Sequence, residues 1–338
     1  MSETFKPDFL LDVNNAKGVQ KYLAQQERLN DGEKLERVEV AGEGNMNVVL
    51  RILTNQRSFI LKQSLPWVAK YPSVQAPHER ILVEHEFYQT VVQNEKLKPF
   101  IPEVCWLDAK SFILCLEDLG QASDFTSIYK KDINLEKSEV SNIARVVSEL
   151  HFGAKYEAGN TKFSNLEMRK LNHAHMFDLP LNAANGFDLD GVMSGLQMAT
   201  SKFRNDKKLK KHAVELGNIY LSDKGTRLLH GDYYPGSWLK TDKGFKIIDP
   251  EFCFTGPAEF ELGVAVAHLK MAQQSDSLMK EMFVYYHFDS KFDGSLFSKF
   301  AGMEIIRRLI GLAQLPLELN LKERLDLLDE AYELVLNG

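Results

Sequence analysis

His230-Gly231-Asp232-Tyr233-Tyr234-Pro235-Gly236-Ser237, followed a little later by Ile247-Ile248-Asp249-Pro250-Glu251, is the most informative part of this chain. Asp232 lies in a Gly- and Pro-containing turn after the strand-like Leu228-Leu229-His230. Asp249 and Glu251 end an apolar run that also reads as a strand. Phosphoryl transfer needs such a layout: one carboxylate to orient an attacking hydroxyl and take its proton, and others to hold magnesium, which favours oxygen ligands, against a nucleotide. In an extended segment, positions two apart project the same way, so Asp249 and Glu251 are expected to face one cation. Asp and Gly also cluster in ordinary turns, and a pair of acids at a strand end can simply be solvated. The two halves together, in this order, favour the chemical reading. His230 reads as a structural residue bonded to nearby backbone.

Upstream, the pattern from 36 to 63 has period two. Val38 and Val40 alternate with charge, Gly42-Glu43-Gly44-Asn45 makes a turn, and Val48–Leu53 and Ser58–Lys62 follow as strands around Thr54-Asn55-Gln56-Arg57. This predicts a three-strand meander. Gly42-x-Gly44 either lets backbone approach a phosphate or is an ordinary hairpin glycine pair, and no GxxxxGK[ST] loop occurs in the chain. Lys62 shares a strand face with Ile60. An inward lysine needs an anionic partner, which the following helix, expected over 77–93, would supply through Glu86 or, as second choice, Glu84; the alternative is a lysine snorkelling at a sheet edge. Leu82, Phe87 and Val91 are the expected buried face of that helix. Other helices are expected over 15–29, through Val140, Ile143, Ala144, Val147 and Leu150 into His151, and over 300–313 and 321–336. Phe112–Leu116 reads as a strand ended by Glu117-Asp118-Leu119-Gly120. The change from strand-rich to helix-rich character near 118 marks the domain boundary.

The 338 residues carry a net charge of −6 and no extended basic block, so nucleic acid is not an expected partner. Lys207-Lys208-Leu209-Lys210-Lys211 reads as a solvated helix face. Three cysteines without CxxC spacing fit a reducing, cytoplasmic compartment, with Cys115 and Cys253 as core residues. No signal peptide or membrane-length apolar run is evident. Arg307-Arg308 lies in an apolar helix. Adjacent arginines point different ways, so one is placed to reach a phosphate or sugar oxygen while the other pairs with an acid; two surface ion pairs are the equal alternative. His173-x-His175 lacks a third ligand at zinc spacing.

Together these residues resemble the two-lobed, protein-kinase-like fold of small-molecule kinases, the aminoglycoside phosphotransferase and choline kinase superfamily, and within it the methylthioribose kinase family. The matching segments are Gly42–Asn47, Leu61–Ser64, Leu116–Leu119, His230–Ser237, Ile248–Glu251, Gly256-Pro257 and Ile306–Arg308 with Gly311–Ala313. Glu251 and Ser237 discriminate, since aminoglycoside and choline kinases tend to carry another residue at the first position and Asn at the second. The resemblance implies an α+β fold, with a small antiparallel-sheet nucleotide-binding lobe over 1–118 and a larger, mainly helical catalytic lobe over 119–338. It implies ATP and Mg2+ as cofactors, a small-molecule hydroxyl as acceptor, no membrane partner and, as a family-level expectation, a homodimer. It makes Asp232 the base. It assigns Gly42, Gly44, Asn45, Asn47, Lys62, Glu86, Glu117 and Leu119 to the nucleotide, with Glu117–Leu119 as the adenine-facing hinge. It gives Asp249, Glu251 and Ser237 to the metal, and Arg307, Arg308, Asp232 and Tyr234 to the acceptor. The chain departs from the family at Tyr233-Tyr234-Pro235, where Leu-His-Thr is usual, at Glu261, where Asp is usual, and in being somewhat short. The alternatives are an aminoglycoside or amino-alcohol phosphotransferase, with Glu318, Glu323 and Glu330 supplying acidity for a cationic acceptor, and a catalytically inactive kinase-like binding protein.

Overall fold

A computed structural model describes residues 6–42, 44, 46–155, 163–222 and 224–338. Asn45 lies outside the described residues. The chain divides into two compact units, residues 1–122 with 241–243, and residues 123–240 with 244–338. The architecture is α+β, an antiparallel sheet in the first unit and a mainly helical second unit.

In the first unit a five-stranded antiparallel sheet runs in the order Leu35–Val40, Val48–Thr54, Ser58–Gln63, Ile113–Glu117, Val104–Asp108. The expected meander supplies the first three strands. Leu50, Ile52, Phe59, Leu61, Ile113 and Cys115 form one cluster with Val19, Tyr22 and Leu23 of the helix Ala16–Gln25. That helix starts where Asn15 accepts from the Gly18 N–H, an N-cap. It ends before Leu29, which still packs on the cluster from outside the helix. Because side chains alternate along a strand, burying Phe59 and Leu61 on this side turns Lys62 to the other.

That opposite side meets the helix Arg80–Val91, whose buried face carries Ile81, Glu84, Phe87, Tyr88 and Val91. Ile81, not Leu82, leads the stripe, because steps of three and four from Phe87 and Val91 reach 84, 81 and 88. The shift in phase also decides which acid turns inward.

In the second unit Arg227–Leu229 pairs antiparallel with Phe254–Gly256, and the strands Trp238–Thr241 (but for Thr241) and Gly244–Ile247 follow the Asp232 turn. Around these short strands stand helices. Lys137–Gly153 begins with a Glu136/Glu139 capping box and buries Val140, Ile143, Ala144, Val147 and Leu150 as its periodicity predicts. Ala258–Met271 is buried on nearly every side. It packs against Gly294–Ile310, which in turn packs against Leu321–Asn337. The helix expected from 300 begins earlier, where Asp293 accepts from the Ser295 and Leu296 N–H groups, and stops at Gly311. Among the described residues, no helix is long and apolar enough to cross a membrane.

Candidate active site

The first unit contributes a lysine–glutamate pair. Lys62 Nζ lies 2.6 Å from Glu84 Oε2, with the two side chains 2 % and 0 % exposed. The expectation that Glu86 would be the partner is corrected: Glu86 is half-buried and sits two residues, more than half a helical turn, away from the inward face that Glu84 shares with Ile81, Phe87 and Tyr88. Removing one member of a buried pair leaves the other charge uncompensated. Lys62→Ala is expected to lower unfolding free energy by about 3–5 kcal/mol, and adding Glu84→Gln should recover most of it. Urea denaturation of the two variants checks this.

Gly42 has φ +80°, which an L side chain adopts only at a cost, and no atom of the described residues lies within 4 Å of where its Cβ would be. A Cβ on Gly44 would meet only Val49, at 3.9 Å. Gly42 and Gly44 therefore leave their own backbone uncovered by a side chain. Asn47 has a more structural position: its Oδ1 accepts from Arg80 Nε at 3.1 Å, and Arg80 also donates to the carbonyls of Met46, Leu65 and Pro77. Arg80, which sequence reasoning passed over, ties the glycine turn to the helix that carries Glu84. Arg51 fixes the segment after Glu117, pairing with Asp118 and donating to the Gly120 carbonyl at 2.8 Å. The Glu117 carboxylate pairs with Lys243, and Leu119 is half-buried beside it in sequence.

The second unit brings together Asp232, Ser237, Glu251, Arg307, Arg308 and Tyr234, with Asp249 close enough to act electrostatically on Tyr234. The Asp232 turn is held from several sides. His230 Nε2 donates to the Ile248 carbonyl at 2.9 Å, the structural role expected of it. The Gly231 N–H donates to Glu261 Oε1 at 2.7 Å, and Glu261 Oε2 meets His151 Nε2 at 2.8 Å. Glu261, noted in the sequence only as a departure from Asp, therefore anchors the turn. Tyr233 OH donates to the Ile143 carbonyl. Ser237 Oγ donates to the Asp232 carbonyl at 2.7 Å; its lone pairs remain those of an oxygen ligand, but its proton is spent on the turn.

Desolvation pushes Asp232 up to about 6; Arg308 and Arg307 pull it down, while Glu304 and Glu251 push it up. The side chain keeps 27 % of its surface open, so it retains access to a reacting group. A carboxylate with a raised pKa that is still ionised near pH 7 suits a proton acceptor.

The geometry of Asp249 and Glu251 differs from expectation. Asp249 adopts φ 63°, ψ 47°, and Pro250–Phe252 is a 3-10 turn, so the two acids are not alternate residues of a strand. The strand ends one residue earlier, and Pro250 favours a helical turn there. Asn165 Nδ2 donates to the carbonyls of Glu251 and Cys253 and fixes this turn. Among the described residues, no three His, Cys, Asp or Glu side chains form a ready-made metal cage. Magnesium favours oxygen donors, of the kind Asp249 and Glu251 carry, and takes one or two carboxylates together with phosphate and water.

The arginine pair also departs from expectation. Both side chains turn to one acid: Arg307 Nη1 lies 3.1 Å from Glu304 Oε2, and Arg308 Nε 2.6 Å from Glu304 Oε1. Helical steps of three and four bring both over residue 304. Arg308 also stands 3.7 Å from Asp232 Oδ1 and lies over the Tyr234 ring. Glu304, His268 and Tyr129 join this group and had no role in the sequence reading. His173 pairs with Asp178 at 3.3 Å.

Within the second unit, the partly open carboxylate of Asp232 thus lies among Ser237, Glu251 and the guanidinium groups of Arg307 and Arg308. The sequence profile described as the phosphotransferase enzyme family matches residues 37–294. A methylthioribose kinase of Exiguobacterium sibiricum is 29% identical over 252 residues, covering 70% of this chain and 62% of the relative. One of Geobacillus sp. is 26% identical, covering 80% and 77%. The crystal structure of a choline kinase from Streptococcus pneumoniae superposes with a TM-score of 0.53 at 14% identity, covering 95% of this chain and 99% of that one, a likeness of fold. With the profile spanning the glycine turn, Lys62, the Asp232 turn and the acids after it, this chain belongs to the phosphotransferase enzyme family.

Proposed function

We propose that the protein is an ATP- and magnesium-dependent kinase that phosphorylates a hydroxyl of a small molecule, a methylthioribose-type sugar. The observation that carries the reading is Asp232 itself: a partly open carboxylate on a turn fixed at both ends, flanked by Glu251 and two buried arginines. In this reading Asp232 orients the acceptor hydroxyl and accepts its proton late in transfer. Asp249 and Glu251, with Ser237 Oγ, would hold a magnesium ion, and the chemistry it would supply there is neutralisation of phosphate charge. Lys62, oriented by Glu84, and the Gly42–Gly44 backbone bind nucleotide phosphates, while the backbone of Glu117–Leu119 faces adenine. Arg307 and Arg308 face the acceptor and the phosphoryl group, where planar guanidinium groups recognise oxygen pairs well.

The relatives named methylthioribose kinases support the sugar over a cationic acceptor. The acids considered for an aminoglycoside are otherwise engaged: Glu323 closes a capping box, Glu330 pairs with Lys270, and Glu318 accepts from the Lys131 N–H. A panel of methylthioribose, choline, homoserine and an aminoglycoside with ATP and magnesium, followed by ADP release, is expected to show turnover with methylthioribose at least 100-fold above the cationic acceptors, about 2.7 kcal/mol of discrimination. Preferential turnover of a cationic acceptor would replace the sugar assignment. Tight ATP binding with no turnover of any acceptor would favour an inactive kinase-like protein.

A further inference from the structure

Behind the arginines lies a buried polar chain. Tyr129 OH is 2.5 Å from His268 Nδ1, His268 Nε2 is 3.1 Å from Glu304 Oε1, and Glu304 grips both Arg307 and Arg308. Tyr129, His268 and Glu304 are 3 %, 0 % and 0 % exposed, and they come from three separate segments of the second unit. Such a chain is costly to bury unless every member is satisfied.

Its proton pattern follows from chemistry. Glu304, held well below the usual carboxylate range by the two arginines, is ionised and accepts only. His268 must therefore present Nε2–H to it, and burial, which lowers His268 to about 4, keeps the ring neutral. Nδ1 is then an acceptor, and the Tyr129 hydroxyl, held protonated by burial, donates to it. One tautomer and one ring orientation satisfy the chain. The Tyr234 ring also packs on His268, 5.2 Å between centroids. On its far side, Glu304 takes the strongest bond of Arg308 and leaves that group 3.7 Å from Asp232, outside hydrogen-bonding range. Among the described residues, the buried Arg307 Nε has no hydrogen-bond partner.

We propose that Tyr129, His268 and Glu304 form a positioning relay that locks both guanidinium groups, holding Arg308 off Asp232 and Arg307 in one orientation toward an oxygen of the acceptor or of the transferred phosphoryl group. No relay residue touches the reacting atoms. The relay acts by fixing the arginines to the fraction of an ångström that positioning requires, where a displacement of 1 Å is enough to lose about 100-fold in rate. It rests on the kinase reading only in what the arginines contact; their fixation is a property of the free protein.

The test compares full-length wild type with Tyr129→Phe, His268→Leu and His268→Gln. The Gln amide can still donate to Glu304, whereas Leu cannot. Expected in steady-state assays with methylthioribose is a roughly 10- to 100-fold fall in kcat for His268→Leu, a raised acceptor KM, an ATP KM within about twofold of wild type, and recovery of most of the loss in His268→Gln. Independently of turnover, NMR of arginine Nε–H groups should show a Glu304-bonded Arg308 resonance in wild type and His268→Gln that moves or broadens in His268→Leu and Tyr129→Phe. Unchanged kinetics and unchanged arginine resonances in folded His268→Leu would overturn the relay. So would a loss in His268→Gln as large as in His268→Leu that tracks only falling thermal stability. If no acceptor is turned over by wild type, the kinase reading fails and the arginine resonances alone decide the relay.

Discussion

Asp232→Asn is expected to lower kcat by about 100- to 10,000-fold while leaving ATP affinity within a few-fold of wild type. Asparagine matches the shape of the side chain and can still accept a hydrogen bond, but it cannot take the acceptor's proton. The same variant should not be less stable. The folded chain holds Asp232 at about 6, above the ordinary carboxylate value, chiefly through desolvation. A group whose pKa rises on folding opposes folding wherever the unfolded chain is ionised and the folded chain resists ionisation. That opposition is fully present above pH 6 and fades as pH falls toward 4. At pH 7 the Asn variant escapes it, so its melting temperature should equal or exceed that of wild type. Calorimetry beside single-turnover kinetics reads both effects. A fall in both activity and stability would make Asp232 a structural residue, and undiminished turnover would remove it from the mechanism.

Gly231→Ala is expected to damage both properties. Gly231 has φ +84°, and an added Cβ would lie 2.1 Å from the Phe252 carbonyl oxygen, a backbone atom that cannot swing aside. The left-handed conformation alone costs about 1–2 kcal/mol for an L residue. Relief of the clash must shift the turn, putting at risk the Gly231 N–H bond to Glu261 and the adjoining Asp232. We expect about 3 kcal/mol of lost stability in urea titration and roughly a 100-fold fall in kcat/KM. Stability and kcat/KM both within twofold of wild type would show that the turn accommodates a side chain and that its geometry does not set the position of the base.

The residues around Asp232 were legible in the sequence because local chemistry marks them. A Gly-containing turn after a strand and a Pro flanked by acids are short-range patterns, and the alternation around Ile60 was enough to turn Lys62 inward. The partner of Lys62 was misassigned because the choice between Glu84 and Glu86 depends on helix phase, and the apolar run Ile81-Leu82-Val83 leaves that phase ambiguous. Alternation predicts a strand through Asp249 and Glu251, but the strand ends at Ile247 and Pro250 opens a 3-10 turn, a local signal that outweighs the apolar run before it. Arg307 and Arg308 were seen as pointing apart. Their convergence on Glu304 follows from spacing already in the sequence, and an acid three and four residues before an arginine pair is a signal that could have been used. Tyr129 and His268 carried no local mark. Their contact joins positions 139 residues apart, and only tertiary packing brings them together.

The most direct test of the account is to incubate the full chain with ATP, magnesium and methylthioribose and to identify the product by phosphorus NMR and mass spectrometry. One sugar phosphate ester is expected for each ADP released, with formation lost in Asp232→Asn. ADP release without a phosphorylated sugar, or ester formation that persists unchanged in Asp232→Asn, would contradict it.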